Sequence, residues 1–399
     1  MFPFRPGAFA LVLGTLMLVA CSSQAVVPQS QVPAVAADGT AEEIPGKTSA
    51  ALGPEIVAAA GEAASIGFNN AAQVVTSDDG SQHFVYITER STVWHYDPAT
   101  GATPISSSSG RKSLTAIAAA DGVLVVAWTE GTGGTESIRV SESKDGGKTW
   151  TAPSVLATGA TGVSLAADGG TVVATWHRGS EQSADILFAR RDPKTGTWSE
   201  PVQVDTSTAG PVWASVDISG NNVYVTWRDN RNGAYQVYLR RSTDGGKTWL
   251  TEQVVGAANT GDPTVCTGDN GVVWLAHHGK GKITVLRSTD GGATWGAGQT
   301  VGDGWSPRMS CDSEGNMILG WEQAEGMSAR AATTKAAAYV TGTADGVLGK
   351  AQTLDEASGT TASVTIREDG YADAVWIHHP EGNDEALTGQ LWRAVVEIS

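Results

Sequence analysis

Five of the seven histidines in this 399-residue chain fall into three short runs: His177-Arg178, His277-His278 and His378-His379. Each run sits at the end of an alternating apolar stretch. Comparable places elsewhere carry Glu89-Arg90, Glu130, Arg228-Asp229 with Arg231, and Glu322. Trp213, Asp262, Trp305 and Arg308 precede further stretches of the same kind. Imidazoles, guanidiniums and carboxylates gathered at one place can bind an anion or a sugar, or move protons. Aromatic rings beside them favour a carbohydrate. The candidate ligand-binding set is therefore Arg90, His177, Arg178, Trp213, Arg228, Asp229, Arg231, His277, His278, Trp305, Arg308, Glu322 and His378. The plainer alternative is a solvated ring of loops that neutralises itself, since surface ion pairs are common. Neighbouring histidines on a strand point to opposite sides, so at most one of each pair can converge. Zinc needs three or four ligands at one point, so no metal and no other cofactor is expected. The chain has no Gly-x-Ser-x-Gly elbow, and no residue is assigned as catalytic.

Repeats must position these groups. A Gly-containing turn followed by an alternating strand recurs seven times, most clearly from Gly220 to Trp227. The strands end at 86, 128, 176, 227, 277, 321 and 376, with spacings of 42, 48, 51, 50, 44 and 55. Five end in Trp, one in Tyr86 and one in His277. A period of 40–50 residues with four short strands per unit is the signature of a propeller blade. In the fourth unit the strands are expected near Val212–Asp217, Val223–Trp227, Gln236–Arg240 and Gln253–Val255. The last unit ends after its third strand, and Gly53 to Val57 reads like a displaced fourth strand. The N-terminal segment should complete the last blade and remove the open edge of the ring. The expected architecture is all-β, a seven-bladed propeller.

A second word, Ser-x-Asp-Gly-Gly-x-Thr-Trp, occurs at 143–150, 242–249 and 288–295, with a looser copy at 191–198. Its Asp can accept from nearby backbone N–H groups, and its Gly pair permits positive φ. Thr-Trp is expected to restart a strand, with the indole covering the turn. One carboxylate per copy does not make a calcium loop. The word resembles the Asp-box, or BNR repeat, of sialidase-like β-propellers. There the box is structural, which implies a structural role for Asp145, Trp150, Asp244, Trp249, Asp290 and Trp295. These turns mark one end of each blade. The candidate binding residues mark the other, which receives the connections between blades and is where propellers usually carry their sites.

The resemblance covers about residues 54 to 399 and implies a possible comparison with an exo-acting sialidase-type glycosidase. Sialidases resemble six-bladed propellers, the alternative blade count. Family enzymes carry an arginine triad, a Tyr/Glu nucleophile pair, an Asp acid/base and an early Arg-Ile-Pro-like motif. Here the matching region reads Ile66-Gly67-Phe68-Asn69-Asn70-Ala71, without Arg. A non-catalytic glycan- or protein-binding module is the expectation, with the glycosidase as runner-up.

Composition and the N-terminus supply the address. A net charge of −16 argues against a nucleic-acid partner. Arg5, the apolar run from Ala8 to Ala20 and Leu18-Val19-Ala20-Cys21 look like a bacterial lipoprotein signal. Residues 1–20 would be the signal peptide and 21–52 a lipidated Cys21 with a flexible tether. The propeller, 53–399, would be a monomer held outside the cytoplasm on the cell membrane through lipid. The remaining thiols, Cys266 and Cys311, hold corresponding positions in consecutive units. In an oxidising compartment they are expected to form a disulfide. That bridge would clamp the fifth blade to the sixth, near the binding face.

Overall fold

Period-two alternation yields twenty-eight strands and, among the described residues, no helix. The computed structural model describes residues 54–61, 71–106, 108–180, 183–324, 335–355, 359–378 and 389–398. Cys21, the segment 1–52, the stretch 66–70 and His379 lie outside them. The strands form seven four-stranded antiparallel sheets, each a blade in chain order. The fourth blade has strands Val212–Ser219, Asn222–Asp229, Gln236–Ser242 and Gln253–Val254, within two residues of expectation. Inner strands of successive blades touch, and Val74–Thr76 of blade one meets Gly359–Ile366 of blade seven, which closes the ring. Blade seven takes Glu55–Gly61 as its outer strand. Glu55 lies opposite Arg393 and Ile56 opposite Trp392, and the Glu55 carboxylate pairs with the Arg393 guanidinium.

The core lies between blades. Trp128, Trp176, Trp227, Trp321 and Trp376 hold the same position on five second strands, and all are fully buried. Truncating one such indole to Ala would cost roughly 3–5 kcal/mol. His277 occupies this position in blade five and is also buried. Val273 and Leu275, on the same face as His277, fill that contact with blade four, while Trp274 faces blade six and donates from Nε1 to the Gly315 carbonyl at 2.9 Å.

The three Asp-Gly-Gly turns are built alike. Asp244 accepts from Ser242 Oγ (2.8 Å), Thr248 N (2.8 Å) and Thr248 Oγ1 (2.6 Å), while Gly246 N donates to Ser242 Oγ at 2.9 Å. Hydrogen bonds from the Thr248 side chain and backbone, then from Ser242, hold the Asp244 carboxyl down to about 2. Gly246 has φ +84°, and a Cβ there would fall 2.2 Å from Phe188 of blade three. The turn is thus a close contact with the preceding blade, and only glycine fits it. The Trp does not restart a strand. Trp150 folds back to donate to the Gly147 carbonyl at 3.0 Å, and the outer strand begins at Ser154.

Cys266 and Cys311 are joined by a disulfide, with Cα atoms 5.5 Å apart. The bridge links the inner strands of blades five and six. Its expected place near the binding face is wrong. Both cysteines lie late in their inner strands, at the end shared with the Asp-Gly-Gly turns, and line the central channel there. Strands alternate in direction, so the candidate binding face is at the opposite end.

Candidate functional site

The inner strands of blades three to six share one irregularity near that opposite end. Their pairing with the second strand shifts between Thr161 and Ser164, Val212 and Ser215, Gly261 and Thr264, and Trp305 and Arg308. Inside each bulge one residue takes positive φ: Gly162 (71°), Trp213 (58°), Asp262 (47°) and Ser306 (52°). Leu114 (55°) does the same in blade two. Such a conformation costs an L-residue roughly 1–2 kcal/mol. Bulges re-aim side chains, and strain of this kind collects at functional sites.

The re-aimed residues reach back to the second strand of the preceding blade. Trp213 meets His177 edge-on, with centroids 5.5 Å apart. Asp262 receives Arg228 Nη1 at 3.3 Å and faces His278 Nδ1 at 3.3 Å. Trp305 lies 4.6 Å from the His278 ring. Arg228 also sits over the Tyr235 ring, 4.8 Å from its centroid. Arg308 and Glu322 are buried beside this group. His177, Trp213, Arg228, His278, Trp305, Arg308 and Glu322 therefore form one cluster, together with Asp262.

Its charges fix one another. Burial works to raise the Asp262 carboxyl, but His278, Arg228 and Arg308 outweigh it and hold the group below the ordinary carboxylate range. Burial pulls the Arg308 guanidinium down to about 10, against Glu322 and Asp262, so it stays a cation at neutral pH. Burial, then the Arg228 charge, lowers His177 to about 4 and keeps it neutral. His177 Nδ1 and Trp305 Nε1 are buried without a hydrogen-bond partner among the described residues. The cluster thus offers two carboxyl groups, two guanidiniums and two imidazoles between two half-exposed indoles.

Other expected members lie elsewhere. Arg231 pairs with Asp229 (2.7 Å) and Glu252 (2.7 Å) and stacks on Tyr238 of the third strand. This buried Asp229–Arg231 unit braces the outer half of blade four and is not part of the cluster. Arg178 follows His177 and so points to the other side of its strand, toward Asp185 at 3.4 Å. His277 points away from His278 for the same reason, and burial first lowers it to about 4. His378 Nδ1 lies 2.5 Å from Asp355 of the outer strand of blade six, with the tilted Trp392 ring 4.7 Å away, so it joins the outer parts of the last two blades. Glu89 and Arg90 form a tight turn with φ of 52° at both. Two residues escaped the sequence reading. Tyr235 immediately precedes the third strand, beyond the loop residues considered. Lys112, buried at the first residue of the inner strand of blade two, donates to the Ser108 carbonyl (2.7 Å), Ser108 Oγ (2.9 Å) and the Gly110 carbonyl (3.0 Å) of the preceding loop. Its place after Arg111, at the head of an apolar strand, was the only signal for it.

No protein-family model matches the chain, and no curated protein does. Solved structures match its shape. Trypanosoma rangeli sialidase superposes with a TM-score of 0.52 at 14% identity, over 79% of this chain and 59% of that one. A mutant of that enzyme displaying trans-sialidase activity gives 0.52 and 14%, over 80% and 59%. A Hadza microbial sialidase gives 0.51 and 13%, over 79% and 73%. The fold is a sialidase-like β-propeller. The chain spans less than two thirds of the length of the trypanosomal enzyme, and at such identity the likeness concerns fold alone.

Proposed function

We propose that this propeller is a lipid-anchored, extracytoplasmic module whose funnel binds a cell-surface glycan without hydrolysing it. The observation that carries the reading is the cluster of Arg228, Asp262, His278 and Arg308 between the half-exposed rings of Trp213 and Trp305. Indoles stack on the apolar faces of sugar rings, and fixed charged groups bond their hydroxyls. A glycosidase needs one carboxyl group kept protonated near neutral pH. Of the cluster's two carboxyl groups, Asp262 is instead held ionised between Arg228 and His278, and Glu322 is buried beside the Arg308 guanidinium. Three carboxyl groups that burial raises, Asp205, Asp217 and Asp373, lie away from the funnel. The hydroxyl of Tyr235, the tyrosine stacked on Arg228, has no carboxylate partner among the described residues.

A glycan array probed with the purified protein, followed by titration of the best ligand, tests the reading. Trp213→Ala and Trp305→Ala should each weaken binding about tenfold, in line with a lost aromatic contact of about 1 kcal/mol or more. Release of sialic acid from α-linked conjugates, abolished by Arg228→Ala with the fold intact, would make the protein an exo-glycosidase instead. Anchoring rests on the lipobox-like Leu18 to Cys21. It predicts acyl labelling that Cys21→Ser abolishes, and labelling that persists in the variant would refute it.

A further inference from the structure

The funnel cluster closes its charges on itself. One Asp262 oxygen receives Arg228 Nη1 at 3.3 Å, and the other faces His278 Nδ1 at 3.3 Å. Arg308, buried beside them, is attracted by both Glu322 and Asp262. Each guanidinium of the cluster therefore already has a carboxyl neighbour. Blades three and five repeat the arrangement at the same end. Arg178 meets Asp185 at 3.4 Å, and Lys282 meets Asp303.

What the cluster still shows to solvent is narrow. The Asp262 side chain is 25% exposed and that of Arg228 21%, so a ligand in the funnel meets both. The half-buried Trp305 ring, 4.6 Å from His278, adds an apolar face beside them. A carboxylate oxygen carries two lone pairs, so each Asp262 oxygen can accept one bond more than it has here. Hydroxyl groups fit that need. A ligand carboxylate does not. It would be brought against Asp262, and it could take Arg228 only by leaving the Asp262 charge uncompensated. A ligand ammonium would meet Arg228 and Arg308 instead. Repulsions of this kind select a partner by excluding its competitors.

We propose that the funnel ligand is an uncharged sugar, with two neighbouring hydroxyls donating to the two Asp262 oxygens and an apolar ring face against Trp305, and that acidic and amino sugars are excluded. The proposal rests on the glycan-binding reading of this site and adds the charge class of the ligand. Asp262 is then the residue that determines specificity, and Arg228 and His278 position it. No covalent step is involved.

Matched glycans that differ only in the terminal residue test this: a neutral hexose, its uronic acid and its amino sugar, on the same linkage. Titrated against the whole protein, the neutral member of the best set should bind at least about tenfold more tightly than either charged one. Raising sodium chloride from about 50 mM to about 500 mM should change its affinity less than about twofold, because no net charge is brought together. Asp262→Asn removes the charge and keeps the bulge, since Asn adopts positive φ as Asp does. It should weaken the neutral sugar and bring the uronic acid level with it or ahead. Tighter binding of the uronic acid or amino sugar by the unaltered protein, lost in Trp305→Ala, would overturn the proposal and leave the glycan-binding reading standing. Binding of no glycan, or neutral-sugar binding that Trp305→Ala does not weaken, would overturn both. A folded Asp262→Asn protein that still rejects the uronic acid tenfold would also overturn the proposal. Should that variant fail to fold, the comparison of matched sugars and its salt dependence decide alone.

Discussion

Reducing the Cys266–Cys311 bridge should lower the melting temperature by about 5 °C. The bridge closes a span of 45 residues, for which the loop-entropy relation gives about 4 kcal/mol of stabilisation. Unfolding a propeller of about 345 residues releases about 0.7 kcal/mol per kelvin of entropy at the midpoint, and the ratio sets the shift. The figure is an upper bound, because inner strands of neighbouring blades already pack together and a denatured chain retains some of that proximity. Circular dichroism melts of oxidised and reduced protein read the shift directly, with thiol titration to prove reduction complete. Cys266→Ala with Cys311→Ala should melt at or slightly below the reduced protein, since Cys266 is buried and loses packing as well. Glycan binding at the funnel should survive reduction, because the bridge lies at the other end of the channel. Coincident melts, to within about 1 °C, would refute the energetic argument. Loss of glycan binding on reduction would refute the assignment of the two ends.

Two further outcomes follow from the ring and its buried histidines. Deleting residues through 61 should lower the melting temperature well below that of a chain deleted only through 52, because it strips the outer strand from blade seven and the Glu55–Arg393 pair with it; equal melts would show that closure does not need this strand. Burial, above all, lowers His95, His177 and His277 to about 4, against about 6.5 in the unfolded chain. The unfolded chain therefore binds more protons between those values, so stability is full above about pH 6.5 and falls as pH drops toward 4. Melts that do not shift between pH 7 and pH 4.5 would contradict the burial of these rings.

Much of the fold was legible because it repeats. The Trp-ending strands fixed the blade count, and the missing fourth strand after Gln390 pointed to Glu55–Gly61. The disulfide pairing followed from matched positions in consecutive units, but its end of the channel was misjudged, since being late in an inner strand means being near the first turn. The site was half legible. Sequence position sorted residues by end of the blade, which brought His177, Arg228, His278 and Arg308 into one set. It did not sort them by distance from the axis, and so Asp229, Arg231 and His378 were included although they serve outer strands. Period two separated His278 from His277 in principle, but not which of the two faces the funnel. Backbone bulges left no composition signature, because Leu114, Gly162, Trp213, Asp262 and Ser306 share a conformation and no chemistry.

That last feature bears on how such a protein acquires new specificity. The bulge is a fixed backbone socket, repeated around the ring, that accepts a leucine, a glycine, an indole, a carboxylate or a hydroxyl without change of register. A substitution there alters what the funnel presents while the interlocking indoles and Asp-Gly-Gly turns are left alone. The rim therefore behaves as a row of interchangeable positions, in which lineages can explore ligands one blade at a time, each step paid in a fraction of the whole domain's stability.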